Sequence, residues 1–87
     1  MSYRIVLSAS ARRALTDELP EAVAVACFEF IRGPLAENPH RVGKALRGRL
    51  TGRYSARRGE FRVIYRIDDG RVLVEVIAIQ HRRDVYR

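Results

Sequence analysis

The segment HRRDVYR, His81 to Arg87, brings an imidazole, guanidinium groups and a phenol together within the six positions from His81 to Tyr86. These groups match the needs of one reaction, the cleavage of RNA by attack of its own 2′-hydroxyl. The 2′ proton must be removed, charge on the phosphorane stabilised, and the departing 5′ oxygen protonated. Arginine suits the middle task, because its planar fork donates to two phosphate oxygens at once. Its pKa, above about 12, makes it a poor base. His81 and Tyr86 are therefore the candidates for handling protons, unless positioning of the substrate carries most of the rate. A histidine at a strand end and a tyrosine near a terminus are also ordinary surface and packing residues, so these residues allow catalysis without requiring it.

The second chemical signal is cationic. The 87 residues carry 17 Lys and Arg against 10 Asp and Glu, a formal charge of +7, and Lys44 is the single lysine. Between Arg41 and Arg62 lie eight basic residues and one acid, Glu60. A GC-rich genome would favour arginine without any function, but clustering of this kind is the footprint of a phosphate-binding surface. Lys44, Arg47, Arg49, Arg53 and Arg58 are the candidate RNA contacts. Arg57 and Arg62 fall in YSARRGEFRVIYRI, which alternates as a half-buried strand does. A nucleic acid fits this run better than a membrane surface, since the charge coincides with a strand and not with an amphipathic helix.

These residues need a scaffold. A chain of this length buries roughly 60–65% of its unfolded surface, enough for one core, so residues 1–87 read as a single domain with any site on the surface or in a shallow groove. Tyr3 to Leu7 is β-branched and alternating, a short strand. Ser8 or Ser10 can cap the helix SARRALTDEL, which Pro20 closes. Pro20 also suits the first turn of a second helix, in which Val23, Ala26, Cys27, Phe30 and Ile31 share a face. Gly33-Pro34 bends or ends that helix, and Asn38-Pro39 stops any helical turn beyond it. The segment from His40 to Gly52, with three glycines and no period, reads as a basic loop.

Three strands come next, Arg53 to Arg58, Phe61 to Ile67 and Val72 to Gln80, with Asp69-Gly70 as a hairpin signal. The expectation is an α+β fold in which a helical hairpin packs on one face of a mainly antiparallel four-stranded sheet. Phe61, Val63, Tyr65 and Ile67 face the core, and Arg62 points out on the uncovered side. VLVEVIAIQ is apolar on both faces and reads as a central strand.

Other groups offer less chemistry. Cys27, among apolar residues in a helix, reads as a small core hydrophobe, so neither a disulfide nor a thiolate metal site is expected. His40 has no chemical partner nearby in sequence. Glu60, Asp84 and the pair Asp68-Asp69 make no acid/base or metal set, and the last pair suits a turn. No metal or cofactor is expected. The N-terminus lacks a signal-peptide run and no 18 apolar residues are consecutive, so a cytoplasmic protein is expected.

The segment NPHRVGKALRGRLTGRYSARRGEFRVIYRIDDG, then VLVEVIAI and HRRDVY, resembles the RelE branch of the RelE/ParE toxin superfamily of bacterial toxin–antitoxin systems. The most specific parts are Ser55-x-Arg57-x-Gly59-x-Phe61-Arg62-Val63-Ile64-Tyr65 and His81-Arg82-x-x-Val85-Tyr86, and the order of elements matches over nearly the whole chain. The resemblance implies a ribosome-dependent endoribonuclease that cuts mRNA in the decoding site and is held inactive by a cognate, RelB-like antitoxin. It implies that Arg62 is the phosphate-binding arginine of the middle strand and that Arg57 is the basic residue of the strand before it. Arg82 corresponds to the arginine beyond the last strand, Tyr86 to the C-terminal tyrosine, and His81 to a histidine that transfers protons in some relatives. Where some members present two lysines, this chain has Ser55 and Arg57, so a lysine base is absent. The alternative reading is a ParE-type, non-enzymatic inhibitor of DNA gyrase, which shares the fold without needing this polar set.

Overall fold

The computed structural model describes residues 2–81. Strand β1 (Arg4–Leu7) leads into α1 (Ala9–Arg13), whose winding widens over Ala14–Glu18 and ends with a Leu19 N–H bond to the Ala14 carbonyl, five residues back. Of the two possible caps, Ser8 is the one used: its Oγ accepts from the Ala11 N–H at 3.0 Å. Helix α2 (Glu21–Phe30) begins directly after Pro20 and continues, again more widely wound, through Ile31–Leu35. Gly33-Pro34 therefore does not end the helix, because a wider turn accommodates a residue that has no N–H to donate.

A short helix α3 (Pro39–Val42) then takes Pro39 at its first position, where a missing N–H costs nothing. The segment expected to be loop holds more order than its sequence suggests. Lys44–Ala45 form a two-residue strand, β2, and Gly48–Leu50 a single tight helical turn. Strands β3 (Tyr54–Arg58), β4 (Phe61–Asp68) and β5 (Leu73–His81) complete the chain order as a meander.

The sheet thus has five strands where four were expected, in the order β1-β5-β4-β3-β2. Strand β1 runs parallel to β5 and every other pairing is antiparallel. The extra strand has no period to read, since two residues become a strand only by pairing with Ser55 and Tyr54. Strand β5 lies inside the sheet, as its two apolar faces predict.

The helices cover one face. Ala11, Ile31 and Leu35 meet Ala56, Val63, Tyr65, Val74 and Val76 in a core from which water is excluded, and Cys27 is buried beside it. The other face is not bare: Ile64 is buried there, and Leu46 and Leu50 from the basic segment stand over it. Gly43 is required by close approach, because a Cβ at that position would overlap the Tyr65 hydroxyl and come within 2.9 Å of the Ser55 carbonyl. The β4–β5 turn stores strain in an unexpected place. Val72 has φ of 53°, costly for a β-branched residue. Its carbonyl accepts the Arg4 N–H at 2.8 Å, which starts the β1 ladder.

Candidate nucleic-acid interface

Residues directly opposite one another in a sheet share a face, so the register decides which cations can act together. Arg57 on β3 lies opposite Arg62 on β4, which lies opposite Gln80 on β5. One row further along, Lys44, Ser55, Ile64 and Ala78 share that same face. Arg57 is exposed, and among the described residues no carboxylate comes within ion-pair distance of it. Its Nε donates weakly to the Gly59 carbonyl at 3.4 Å, across the tight turn that Gly59, with φ of 60°, makes possible.

Arg62 is on the side opposite Phe61, Val63 and Tyr65, as expected, yet it does not project freely. It is half-buried, with its Nε shut away from solvent. The consequence is a guanidinium with little rotational freedom left to lose when it meets an anion. Two arginines at adjacent strand positions repel each other, and a phosphate between them would convert that repulsion into attraction from both sides.

The remaining predicted residues divide between surfaces. Arg53 borders a cavity beside Ser55, whereas Arg49 faces a broad basin that also contains Asp68, Asp69 and Glu75. Arg47 is exposed just before the tight turn. Arg58 lies on the helix side, sharing a cavity with Val23, Cys27 and Phe61. Burial raises the Cys27 thiol pKa, and the nearby Arg58 charge works against that rise. His81, opposite Phe61, is also on the helix side, with the two rings edge to face at 5.1 Å. Its Nε2 is 3.7 Å from Glu60. Arg57 and Arg62 thus stand together, while His81 stands round the edge of the sheet from them. Arg82 and Tyr86 lie outside the described residues.

Sequence reasoning passed over one group on the arginine face, Gln80, because only the register puts it opposite Arg62. It also passed over a polar cluster at the opposite end of the sheet. Tyr3 donates its phenolic proton to Asp69 at 2.6 Å, and the His40 Nε2 meets the same carboxylate at 2.9 and 3.0 Å. The Tyr3 bond, then the His40 bond, hold the Asp69 pKa below its usual value, and the bond to Asp69 raises that of Tyr3. The ring of His40 packs edge-on against Tyr54, which stacks on Tyr65 at 5.6 Å. Burial pushes the Tyr65 phenol up to about 12, and its hydroxyl donates to the Pro39 carbonyl at 2.7 Å. Among the described residues, no His, Cys, Asp and Glu gather in a group able to hold a metal ion.

With this geometry in hand, comparison with known proteins is informative. Residues 5–86 match the family described as the ParE toxin of the type II toxin–antitoxin system parDE. The chain belongs to that family. Within it the likeness is to the RelE type. A Mycobacterium tuberculosis protein named Toxin RelE is 53% identical over 85 residues, spanning 98% of this chain and 87% of its own. Toxin RelG of the same organism is 45% identical over 87 residues, spanning 100% and 99%. The RelBE2 toxin–antitoxin complex of M. tuberculosis contains a chain that superimposes with a TM-score of 0.89 at 42% identity, covering 93% of this chain and 92% of that one. The α+β architecture of a RelE-type toxin is therefore this chain's own, with five strands in the sheet. Among the described residues no helix is long and apolar enough to cross a membrane.

Proposed function

We propose that this RelE-type toxin is a ribosome-dependent endoribonuclease that cleaves mRNA in the A site and arrests translation in the cytoplasm. The observation that carries the reading is the cross-strand pair Arg57–Arg62, like charges held opposite each other on one face of the sheet. Like charges directly opposite are in themselves destabilising, and a phosphate held between them would turn that cost into attraction. An in-line attack of the 2′ oxygen on phosphorus forms one P–O bond and breaks the bond to the 5′ oxygen, giving a cyclic phosphate and a 5′-hydroxyl. Arg62 and Arg57 donate to the non-bridging oxygens as their charge grows. The resemblance adds Arg82 to that task and assigns proton transfer to Tyr86 or His81. The row Arg57–Arg62–Gln80 offers guanidinium groups and an amide, which are poor bases, and alignment by the ribosome supplies much of the acceleration.

The partner is a RelB-like antitoxin. The Toxin RelE and RelBE2 relatives support it, the latter being seen in complex with its antitoxin. The helical side offers an apolar groove of about 660 Å³ bordered by Leu15, Leu19, Val25 and Phe28, with Val25 55% and Phe28 45% exposed. An acidic, amphipathic segment docked across this groove and the basic face would weaken with salt and keep an apolar residue of affinity.

Primer extension on a translated mRNA after induction tests the enzymatic reading. Cuts at A-site codons, absent on naked mRNA, are expected. Intact mRNA with accumulating double-strand DNA breaks would instead establish the gyrase-directed activity.

A further inference from the structure

On the arginine face, one residue pair further along from Arg57–Arg62, the sheet opens into a cavity of about 280 Å³. Its origin is a β-bulge. Ile64 pairs with Ala78 and Tyr65 with Val76, which leaves Ile77 as the extra residue of β5. A bulge of this kind interrupts the strict alternation of faces, and Ile77 and Ala78 both border the cavity. The bulge is pinned from outside, since the Ser8 hydroxyl donates to the Ile77 carbonyl at 2.5 Å. Leu46 and Leu50 from the basic segment add further apolar lining, and Arg53 and Gln80 polar lining.

Ser55 gives this space a purpose. It is only 9% exposed, it borders the cavity, and among the described residues its Oγ has no hydrogen-bond partner. A buried hydroxyl left unsatisfied is costly, and a ligand that bonds to it recovers that cost. The space is at or just below the lower limit of small-ligand sites, roughly 300 Å³, so it admits a single flat ring system and excludes a peptide helix. Apolar walls suit a π-face. A hydroxyl that both donates and accepts, together with the carboxamide of Gln80, suits the edge of a base. Ser55 is two residues along β3 from Arg57 on the same face, a distance of about 7 Å, which a ribose can bridge between a base and its phosphate.

We infer that this cavity is a nucleobase subsite, which receives the base of the nucleotide whose phosphate lies between Arg57 and Arg62 and lets Ser55 and Gln80 contribute to base preference. This deepens the endoribonuclease reading and rests on it.

The test is methyl and guanidinium NMR of the whole protein titrated with the four ribonucleoside 3′-monophosphates, with ribose 5-phosphate as the base-free control. The Ile64, Ile77 and Ala78 methyls should shift with at least one nucleotide and not with the control, whereas the Arg57 and Arg62 signals shift with both. Ala78→Leu, which fills the cavity, should weaken the preferred nucleotide about tenfold and leave ribose 5-phosphate unaffected. Ser55→Ala should change the ratio of affinities among the four bases by about 2- to 10-fold. If the arginine signals respond while the methyls stay silent with all four nucleotides, the subsite is wrong and the phosphate site stands. If neither set responds, the RNA reading fails with it. Methyl shifts produced by a RelB-like antitoxin and by no nucleotide would assign the cavity to a protein side chain and overturn the inference.

Discussion

On one face of β4, Arg62 stands opposite Arg57 and Arg66 stands opposite Glu75. The second pair is satisfied, with the Arg66 guanidinium donating to the Glu75 carboxylate at 2.7 Å. The same end of the sheet also has Asp69 held between Tyr3 and His40. The sheet can therefore neutralise a cross-strand arginine, as it does at this end. At the other it sets two cations side by side and encloses the Nε of one of them. One end sets opposite charges across from each other, and the other sets like charges across from each other.

Changing the cationic end should affect function far more than folding. Arg62→Ala is expected to slow ribosome-programmed cleavage in single turnover by about 10² to 10³, comparable to losing one oxyanion donor. Its melting temperature should stay near the parent's, because the lost stem packing is offset by relief of repulsion from Arg57. A folded Arg62→Ala protein that cuts at the parent's rate would remove the phosphate role. His81→Ala should cost less than Arg62→Ala in the same assay, since the His81 ring lies on the Phe61 side of the sheet.

The satisfied end should show the reverse. Gly43→Ala forces a Cβ into the Tyr65 hydroxyl, which bonds to Pro39. It should destabilise the fold by about 1–3 kcal/mol, as overpacking does. Denaturant titration measures this, and cleavage per folded molecule should stay close to that of the parent.

A charge reversal sharpens the contrast further. Arg57→Glu turns the repulsive pair into an attractive one and should stabilise the protein by about 0.2–1 kcal/mol, while cleavage falls. Glu75→Gln should cost about 1 kcal/mol or less, because the Arg66 half of the pair it breaks is exposed and the Glu75 half only partly buried, and cleavage should be unchanged. A stabilising Arg57→Glu variant that retained full activity would show the like-charged pair to be incidental.

The smallest effect is in pH. Asp69 titrates below its usual 3.8 in the folded protein, so between its folded and unfolded pKa values the unfolded chain binds more protons, and the Asp69 contribution is lost as pH falls through that window. Tyr3 is raised above 10, so its share is lost as pH rises through the folded value. The difference in melting temperature between the parent and Asp69→Asn should hold from weakly acidic to weakly alkaline pH and shrink at both extremes. Exposure to solvent keeps it small.

Element identity was legible because it is written in near neighbours. Alternation along Phe61 to Ile67 marked a strand and its core face, and the apolar stripe through Cys27 and Ile31 marked a helix and its buried side. The concentration of arginine before Arg62 pointed to an anionic partner without any structure, because charge density is a property of composition. Tertiary structure decided which of those arginines stand together. Arg57 and Arg58 are neighbours in sequence, yet the pleat puts one beside Arg62 and the other beside Cys27. His81 falls on the Phe61 side through its pairing alone. The two-residue strand β2, the bulge at Ile77 and the meeting of Tyr3 and His40 at Asp69, 66 and 29 residues away, have no local signature. A period of two or of 3.6 is enforced by atoms a few bonds apart, whereas register and cross-chain contact are fixed only when the whole core closes.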